Sequence, residues 1–439
     1  MPNLYIHALG CKTNHYENQA IAQKLQEHGF ELTDNIKDAD VGLLNTCTVT
    51  AEAGRKSRQF LRKMKKQNPK ILVVAMGCYA QLEDVSEIAD LVIGTDHRNS
   101  VLNLIQERIN QKENREDIKD FTIELEEDLA PIGKASQETQ YEELGIIQKQ
   151  SDTRAQIKIQ DGCNAFCTYC AIPLARGRVR SRLRENIMNE AKALIKNGHK
   201  EIVLTGIHIC SFEKELGRNS EALAELCIEL NTLDGLERIR LGSLEPLSVN
   251  KEFLNILKNA DKVCPHFHLS LQSGSDSVLK RMKRNYNTAQ YRQVVEQILE
   301  IYDQPAITTD IMVGFPEETD EEFEESLEFV EDIQLSQLHV FPYSVRPGTK
   351  AAKMRQISTN TVKNRADLML DKGKVLHAAY ARKFIGKEQR VILEDVVGNY
   401  IRGFSDQYLR IYLPKTAGKS GEIKKVIVKR EEDANLFVD

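Results

Sequence analysis

The densest chemistry in the sequence lies in Asp161-Gly-Cys-Asn-Ala-Phe-Cys-Thr-Tyr-Cys170. It sets Cys163, Cys167 and Cys170 in a C-x3-C-x2-C spacing, directly after the apolar-alternating run Ala155-Gln-Ile-Lys-Ile159. Three thiolates this close on a loop can grip three irons of a cubane cluster, and the fourth iron then has no nearby protein ligand. An open iron is a place to bind and activate a small molecule, as at open catalytic metal positions generally. The alternatives are a zinc site and unrelated core cysteines. Zinc takes four ligands, commonly from paired motifs, and no second C-x2-C exists in the chain.

Three more cysteines share a position rather than a spacing. Leu4–Leu9 leads into Gly10-Cys11, Val41–Leu44 into Asn45-Thr-Cys47, and Ile71–Ala75 into Gly77-Cys78. A fourth apolar run, Leu91–Ile93, precedes a helical stretch at Val101–Ile109, and another helix spans Tyr16–Leu25. Repeated βα units argue for a parallel sheet, with ligands at the carboxyl ends of its strands. Singly, each cysteine reads as a small buried apolar residue. At the equivalent position of three units, Cys11, Cys47 and Cys78 read as ligands of a second iron–sulfur cluster.

Arginines 176, 178, 180, 182 and 184 alternate strictly after the Cys170 motif. In an extended segment they would point to one side and track phosphates, so Arg176, Arg178, Arg180 and Arg182 are candidate RNA contacts. The alternatives are a solvated face or pairing with local carboxylates. The stretch from Arg55 to Lys70, with eight Lys/Arg and no acid, is a second candidate RNA face.

These residues need elements to position them. Residues 113–143 hold eleven acidic against three basic residues, with Pro131 and Gly133, and read as a linker or insertion with a solvated face. Beyond it, strands are expected at Ala155–Gln160, Glu201–Gly206, Arg238–Ser243, His266–Gln272, Ala306–Gly314 and Gln337–Tyr343. Helices are expected between them, at Glu185–Lys196, Glu221–Asn231, Glu252–Lys258, Thr288–Ile301 and Glu321–Glu331. Six units suggest a partial (β/α) barrel with its chemistry at the carboxyl ends of the strands. Ser243, Glu245, Gln272, Ser273 and Asp310 all fall there. Asp276 and Thr319 look like helix caps, Met282, Met312 and Met354 like core, and His208, His266, His268 and His339 like satisfied strand histidines. Cys210, Cys227 and Cys264 lack ligand spacing. After a helix near Asn364–Phe384, short alternating strands at Gln389–Val396, Tyr400–Gly403, Leu409–Leu413 and Ile423–Val428 suggest a small all-β barrel of the class used by nucleic-acid binders. Its ten basic and nine acidic residues over 386–439 leave a structural cap as the alternative.

Composition narrows the class. At 439 residues, 41% hydrophobic and 28% charged, the chain is an ordinary globular one of several domains. No apolar run reaches the ~18 residues of a membrane span, and the start MPNLYIHALG lacks a basic region before its apolar stretch. Nine cysteines, none in the last 175 residues, do not form a disulfide framework, so a reducing cytoplasm and no membrane are expected. A net charge of −5 confines any RNA contact to local patches.

C-x3-C-x2-C is the radical S-adenosylmethionine (radical SAM) motif, and the resemblance extends along the chain. Gly10-Cys-Lys-Thr-Asn, Asn45-Thr-Cys-Thr-Val-Thr, Gly77-Cys78, Gln160-Asp-Gly-Cys-x3-Cys-x-Tyr-Cys-x-Ile-Pro, Leu271-Gln-Ser-Gly-Ser-Asp, Gly314-Phe-Pro-x-Glu-Thr and Tyr343-Ser-x-Arg-Pro-Gly-Thr resemble the methylthiotransferases, in order. The resemblance implies an α/β chain with an N-terminal auxiliary-cluster domain (1–113), an acidic linker (114–148), a (β/α)6 radical SAM core (149–379) and a TRAM RNA-binding barrel (380–439). It implies two 4Fe-4S clusters, with S-adenosylmethionine on the open iron of the Cys163/Cys167/Cys170 cluster. Ser243, Glu245, Gln272, Ser273, Asp310 and Arg346 are the expected cofactor contacts. The partners implied are a tRNA anticodon stem-loop, an external electron donor and a sulfur source. Cys-Lys-x-Asn and Asn-Thr-Cys-Thr-Val-Thr resemble the branch acting on N6-threonylcarbamoyladenosine, where a 5′-deoxyadenosyl radical removes the C2 hydrogen and a methylthio group takes its place. Branches acting on isopentenyladenosine or a ribosomal aspartate are the alternatives, and a non-catalytic iron–sulfur RNA-binding protein is the rival of another class. Gly206-Ile-His-Ile-Cys-Ser-Phe212 departs from the family, which often has Tyr-Gly there.

Overall fold

The computed structural model describes residues 1–113 and 139–439. The apolar runs at the start form a parallel sheet, in the order β2-β1-β3-β4-β5, from β1 (Asn3–Ala8), β2 (Glu31–Leu32), β3 (Val41–Thr46), β4 (Leu72–Gly77) and β5 (Leu91–Ile93). Alternate side chains serve two cores, which is why β4 is apolar throughout. Leu72, Val74 and Met76 pack with Ile21, Leu25 and Ile105 of helices α1 (Lys12–Glu27) and α4 (Val101–Glu113). Val73 and Ala75 face Leu61 and Met64 of the basic helix α2 (Ala51–Gln67). A short helix α3 (Cys78–Leu82) follows β4 directly.

The acidic segment falls mostly outside the described residues. At its end, Glu142 and Glu143 are half-buried and pair with Arg98 at 2.8 Å and Arg182 at 2.6 Å.

The six expected barrel strands are present, in two four-stranded sheets. One runs β7-β6-β8-β9, from β6 (Ala155–Asp161), the short antiparallel β7 (Arg180–Ser181), β8 (Glu201–Gly206) and β9 (Arg238–Leu241). The other runs β10-β11-β12-β13, all parallel, from β10 (Ser243–Leu244), β11 (His266–Leu269), β12 (Ala306–Val313) and β13 (Gln337–Pro342). The third expected strand is split at Gly242 into β9 and β10, and a single bridge, Ile239 to Val263, joins the halves. The helices are α5 (Ile172–Arg176), α6 (Arg184–Lys196), α7 (Glu221–Asn231), α8 (Lys251–Leu257), α9 (Asp276–Arg281), α10 (Thr288–Ile301) and α11 (Asp320–Asp332). Thr319 caps α11 in a capping box with Glu322. Asp276 instead opens α9 and accepts from the Thr288 N–H at the start of α10. His268 is satisfied by Thr308 at 2.9 Å, and His266 stacks on Tyr408.

Helix α12 (Thr359–Arg382) leads to a largely antiparallel half-barrel ordered β17-β14-β15-β16-β19-β18. Its strands are β14 (Glu388–Val397), β15 (Tyr400–Ser405), β16 (Arg410–Pro414), β17 (Ile423–Ile427), β18 (Arg430–Glu432) and β19 (Asn435–Phe437). No pairing between edge strands β17 and β18 closes it among the described residues. It is tied to the barrel by buried arginines. Arg238 donates to the carbonyls of Phe404 and Ser405, Arg240 to that of Asp406, and Glu201 holds both guanidiniums.

Candidate active site between two cysteine triads

Cys11, Cys47 and Cys78 stand just past the carboxyl ends of β1, β3 and β4, three neighbours in one parallel sheet. Cys11 is also the N-cap of α1 and Cys78 the first residue of α3. Gly10, at φ +96°, lets the β1 loop approach Cys47: a Cβ there would lie 2.5 Å from the Cys47 sulfur. Burial pushes the Cys78 thiol up to about 12, Arg176 opposes, and Cys11 and Cys47 add to the rise.

Cys163, Cys167 and Cys170 follow β6 on a single loop. Gly162, at φ +71°, turns that loop sharply, and a Cβ on it would meet the Arg178 carbonyl at 1.8 Å. Burial raises the Cys170 thiol to about 12, opposed by the Ile172 N–H and reinforced by Cys167 and Cys163. The Ala165 N–H points at the Cys163 sulfur at 3.4 Å.

Each triad has one guanidinium aimed at a sulfur. Arg176 Nε lies 3.1 Å from Cys78 Sγ, and Arg284 lies 3.1 Å from Cys167 Sγ. Arg284 is held by Glu245 at 2.5 Å and by the Tyr286 hydroxyl at 3.0 Å. Glu245 stays below the usual carboxylate range: burial opposes its charge, and His208 and Arg284 outweigh it. Neither triad has a fourth cysteine, since Cys210, Cys227 and Cys264 are buried in other surroundings.

A cleft of about 250 Å3 lies between Cys170 of the first triad and the loop that follows Cys47 of the second. Its lining includes Thr48, Val49 and Thr50 after Cys47, Tyr169 to Ile172 around Cys170, and Phe341, Pro342 and Tyr343 at the end of β13. Two contacts hold its walls together. The Ala51 N–H donates to Ser344 Oγ at 2.8 Å, and Arg346 donates to the Thr48 carbonyl at 3.1 Å. Val49 and Phe341 remain exposed, an apolar rim suited to the face of a base. A larger groove of about 840 Å3, lined by Glu296, Glu300, Asp303 and Asp332, contains no cysteine.

The structure sorts the expected contacts. Gln272 and Asp310 line this cleft with Cys170. Glu245 acts through Arg284, and Arg346 anchors the Cys47 loop. Ser243 is exposed on β10. Ser273 is a correction: it is 1% exposed and turned toward Ser326 of α11, so it faces no cleft.

The arginine row is a second correction. Arg176, Arg180 and Arg182 are buried, not aligned on an RNA face. Arg176 and Arg180 meet Asp161, at 3.0 and 3.7 Å, and Arg182 meets Glu190 at 2.6 Å. Only Arg178 of the four is exposed, lying over the Phe166 ring at 4.5 Å. Sequence reasoning missed Arg284 and the buried acid Glu17. Glu17 is held well down by Arg176, Arg98 and Lys158 although burial opposes its charge.

Known proteins resemble the chain over most of its length. Residues 157–330 match the Radical SAM superfamily, and residues 3–96 match Uncharacterized protein family UPF0004. The threonylcarbamoyladenosine tRNA methylthiotransferase MtaB of Bacillus subtilis (strain 168) is 38% identical, over 97% of this chain and 93% of its own. The chain belongs to the radical SAM tRNA methylthiotransferases. The family includes the tRNA-2-methylthio-N(6)-dimethylallyladenosine synthase of Thermoanaerobacter sp. (strain X514), 34% identical over 90% of this chain and 83% of that protein. Among solved structures, the radical S-adenosylmethionine methyltransferase TsrM from Kitasatospora setae, with cobalamin and a [4Fe-4S] cluster bound, superposes with a TM-score of 0.60. At 14% identity, over 80% of this chain and 77% of TsrM, it shares the fold.

The cysteines of this methylthiotransferase fit clusters by their donor set. Among the described residues no three His, Cys, Asp or Glu side chains are arranged to hold a single metal ion. A cubane cluster does not require that, because each thiolate takes its own iron. Both triads offer sulfur alone, and each has N–H donors aimed at a sulfur.

Proposed function

We propose that the chain converts N6-threonylcarbamoyladenosine next to the tRNA anticodon into its 2-methylthio derivative. The observation that carries this is the cleft lined both by Cys170 and by Thr48, Val49 and Thr50 of the loop after Cys47. Cys163, Cys167 and Cys170 would hold one 4Fe-4S cluster and Cys11, Cys47 and Cys78 the other. Bound there, the first cluster would supply the electron for cleaving S-adenosylmethionine and the second would hold the sulfur to be inserted. Gln272 and Asp310 offer polar groups to S-adenosylmethionine beside Cys170. Arg346 and Ser344 keep the Cys47 loop against the barrel and help exclude water from the cleft.

The target base must leave its stack to enter, which a loop base does at modest cost. The basic face of α2, with Arg55, Lys56, Arg62, Lys63 and Lys66 exposed, suits the phosphates of the stem. The half-barrel fits a TRAM module over 380–439, after a cluster domain at 1–113, a linker at 114–148 and a radical SAM core at 149–379. Tyr412 and Phe437 stack at 5.0 Å with Arg430 4.0 Å from the Phe437 ring, a surface on which bases can stack. An external electron donor and a sulfur source complete the cycle. Free thiols suit a reducing cytoplasm, and no described helix is long and apolar enough to cross a membrane.

Nucleoside mass spectrometry of total tRNA from a host lacking its own enzyme tests the reading. The 2-methylthio form of threonylcarbamoyladenosine should appear with this chain and vanish with Cys163→Ala. Methylthio-isopentenyladenosine in its place would move the chain to the dimethylallyladenosine branch, which the 34% relative represents.

A further inference from the structure

Arg176 sits where the two cysteine sites meet, and every N–H it directs is accounted for. One terminal nitrogen donates to Glu17 at 2.7 Å and Asp161 at 3.0 Å. The other donates to Asn14 Oδ1 at 2.8 Å and Glu17 at 3.0 Å. Two buried carboxylates thus fix the plane of the fork, and Nε–H is left directed at Cys78 Sγ. The side chain is 0% exposed, so no bulk water competes for that sulfur.

The same guanidinium reaches the other two cysteine loops through Asn14. While Asn14 Oδ1 accepts from Arg176, its Nδ2 donates to the carbonyls of Leu9 and Thr46, just before Gly10-Cys11 and Cys47. Toward the first triad, Asp161 Oδ1 accepts the Gly162 N–H, and the Cys163 N–H donates to the Gly177 carbonyl beside Arg176. One buried side chain therefore orders the approach to all three sulfurs of the second triad and the entry to the first.

We propose that Arg176 is a positioning residue of the Cys11/Cys47/Cys78 site, holding the Cys78 sulfur and tuning the cluster bound there. This rests on the reading that these cysteines hold a cluster. A hydrogen bond from a cation to a ligating sulfur withdraws electron density and favours the more reduced state, so it raises the cluster's reduction potential. Lysine in place of Arg176 keeps the charge but has three donors on one atom and no planar fork, so it cannot reproduce the fixed N–H toward the sulfur together with the bonds to Glu17, Asp161 and Asn14.

The test uses the full chain carrying Cys163→Ala, Cys167→Ala and Cys170→Ala, labelled with [15N]arginine, reconstituted with iron and sulfide and reduced with dithionite. Pulsed EPR of the remaining cluster should show a 15N hyperfine coupling. That coupling should disappear with Arg176→Lys and persist with Arg346→Lys, the other arginine near Cys47. In a redox titration, Arg176→Lys should move the midpoint to a more negative potential. A loaded cluster without 15N coupling overturns the assignment of Arg176, as does an unchanged midpoint in Arg176→Lys. If the triple variant binds no iron, the second-cluster reading itself fails. Should Arg176→Lys not fold, the labelled parent and Arg346→Lys still decide, because loss of the coupling in the latter would assign it to the wrong arginine.

Discussion

The two cysteine triads solve one problem by opposite routes. Cys163, Cys167 and Cys170 lie within eight residues on one loop, so local chain geometry brings their sulfurs together. Cys11, Cys47 and Cys78 span 68 residues and meet only because β1, β3 and β4 are adjacent and parallel. Their supports differ in the same way. Arg284 at the local triad is held by one carboxylate, Glu245, whereas Arg176 at the assembled triad is held by two, Glu17 and Asp161. The site assembled by tertiary structure carries the larger buried charge network, and the site assembled by a loop makes do with a single ion pair, Arg284 with Glu245.

The largest effects should separate the triads cleanly. Cys163→Ala is expected to bring both 5′-deoxyadenosine formation and methylthiolated nucleoside below detection. Cys47→Ala should leave 5′-deoxyadenosine detectable by chromatography while the methylthio product disappears. Full product from the Cys47 variant would remove the second triad from the reaction.

Next come the supports. Glu17→Gln should destabilise the chain by about 3 kcal/mol near neutral pH, because it leaves buried cations short of a partner. Glu17 is held below its ordinary value by Arg176, Arg98 and Lys158, against burial. Its contribution is therefore complete above the unfolded value of about 4.3 and is lost as pH falls through the depressed folded one. In urea unfolding, the gap between parent and Glu17→Gln should hold from pH 7 to about 5 and narrow below about 4. A gap that widened on acidification would contradict the ion-pair account.

Gly10→Ala should cost roughly 1–3 kcal/mol through its positive φ and its collision with Cys47. It should lower iron loading of the second triad while leaving the first loaded. Smallest of all, Arg178→Ala should reduce the salt dependence of anticodon stem-loop binding by a log–log slope of about 1 and leave iron content unchanged.

What the sequence disclosed follows the same division. Spacing exposed the loop triad, and the apolar runs exposed the strands that deliver the other three cysteines. Glu201–Gly206, Glu221–Asn231 and Thr288–Ile301 lie where periodicity puts them. Short elements such as β2, β18 and β19 offer too few residues to show a period, and Gly242 divides a strand that reads as continuous. The arginine row misled because the segment is not one extended strand: Arg176 ends helix α5, Arg180 lies on β7, and Arg178 between them faces outward. Glu17 is 159 positions from Arg176, and no local pattern announces it. Arg284 was equally silent, in a basic run after α9 and 117 positions from the sulfur it meets.

The clasp between Ala51 and Ser344 joins residues 293 positions apart, and that between Thr48 and Arg346 joins residues 298 apart. On a ribosome adding about 5–20 residues per second, Cys47 emerges roughly 15–60 s before the segment that closes over its loop. During that interval the N-terminal sheet can form, yet the mouth of its cysteine site lacks its far wall. Whatever Cys11, Cys47 and Cys78 bind thus has open access to them during synthesis, until the last barrel strand docks.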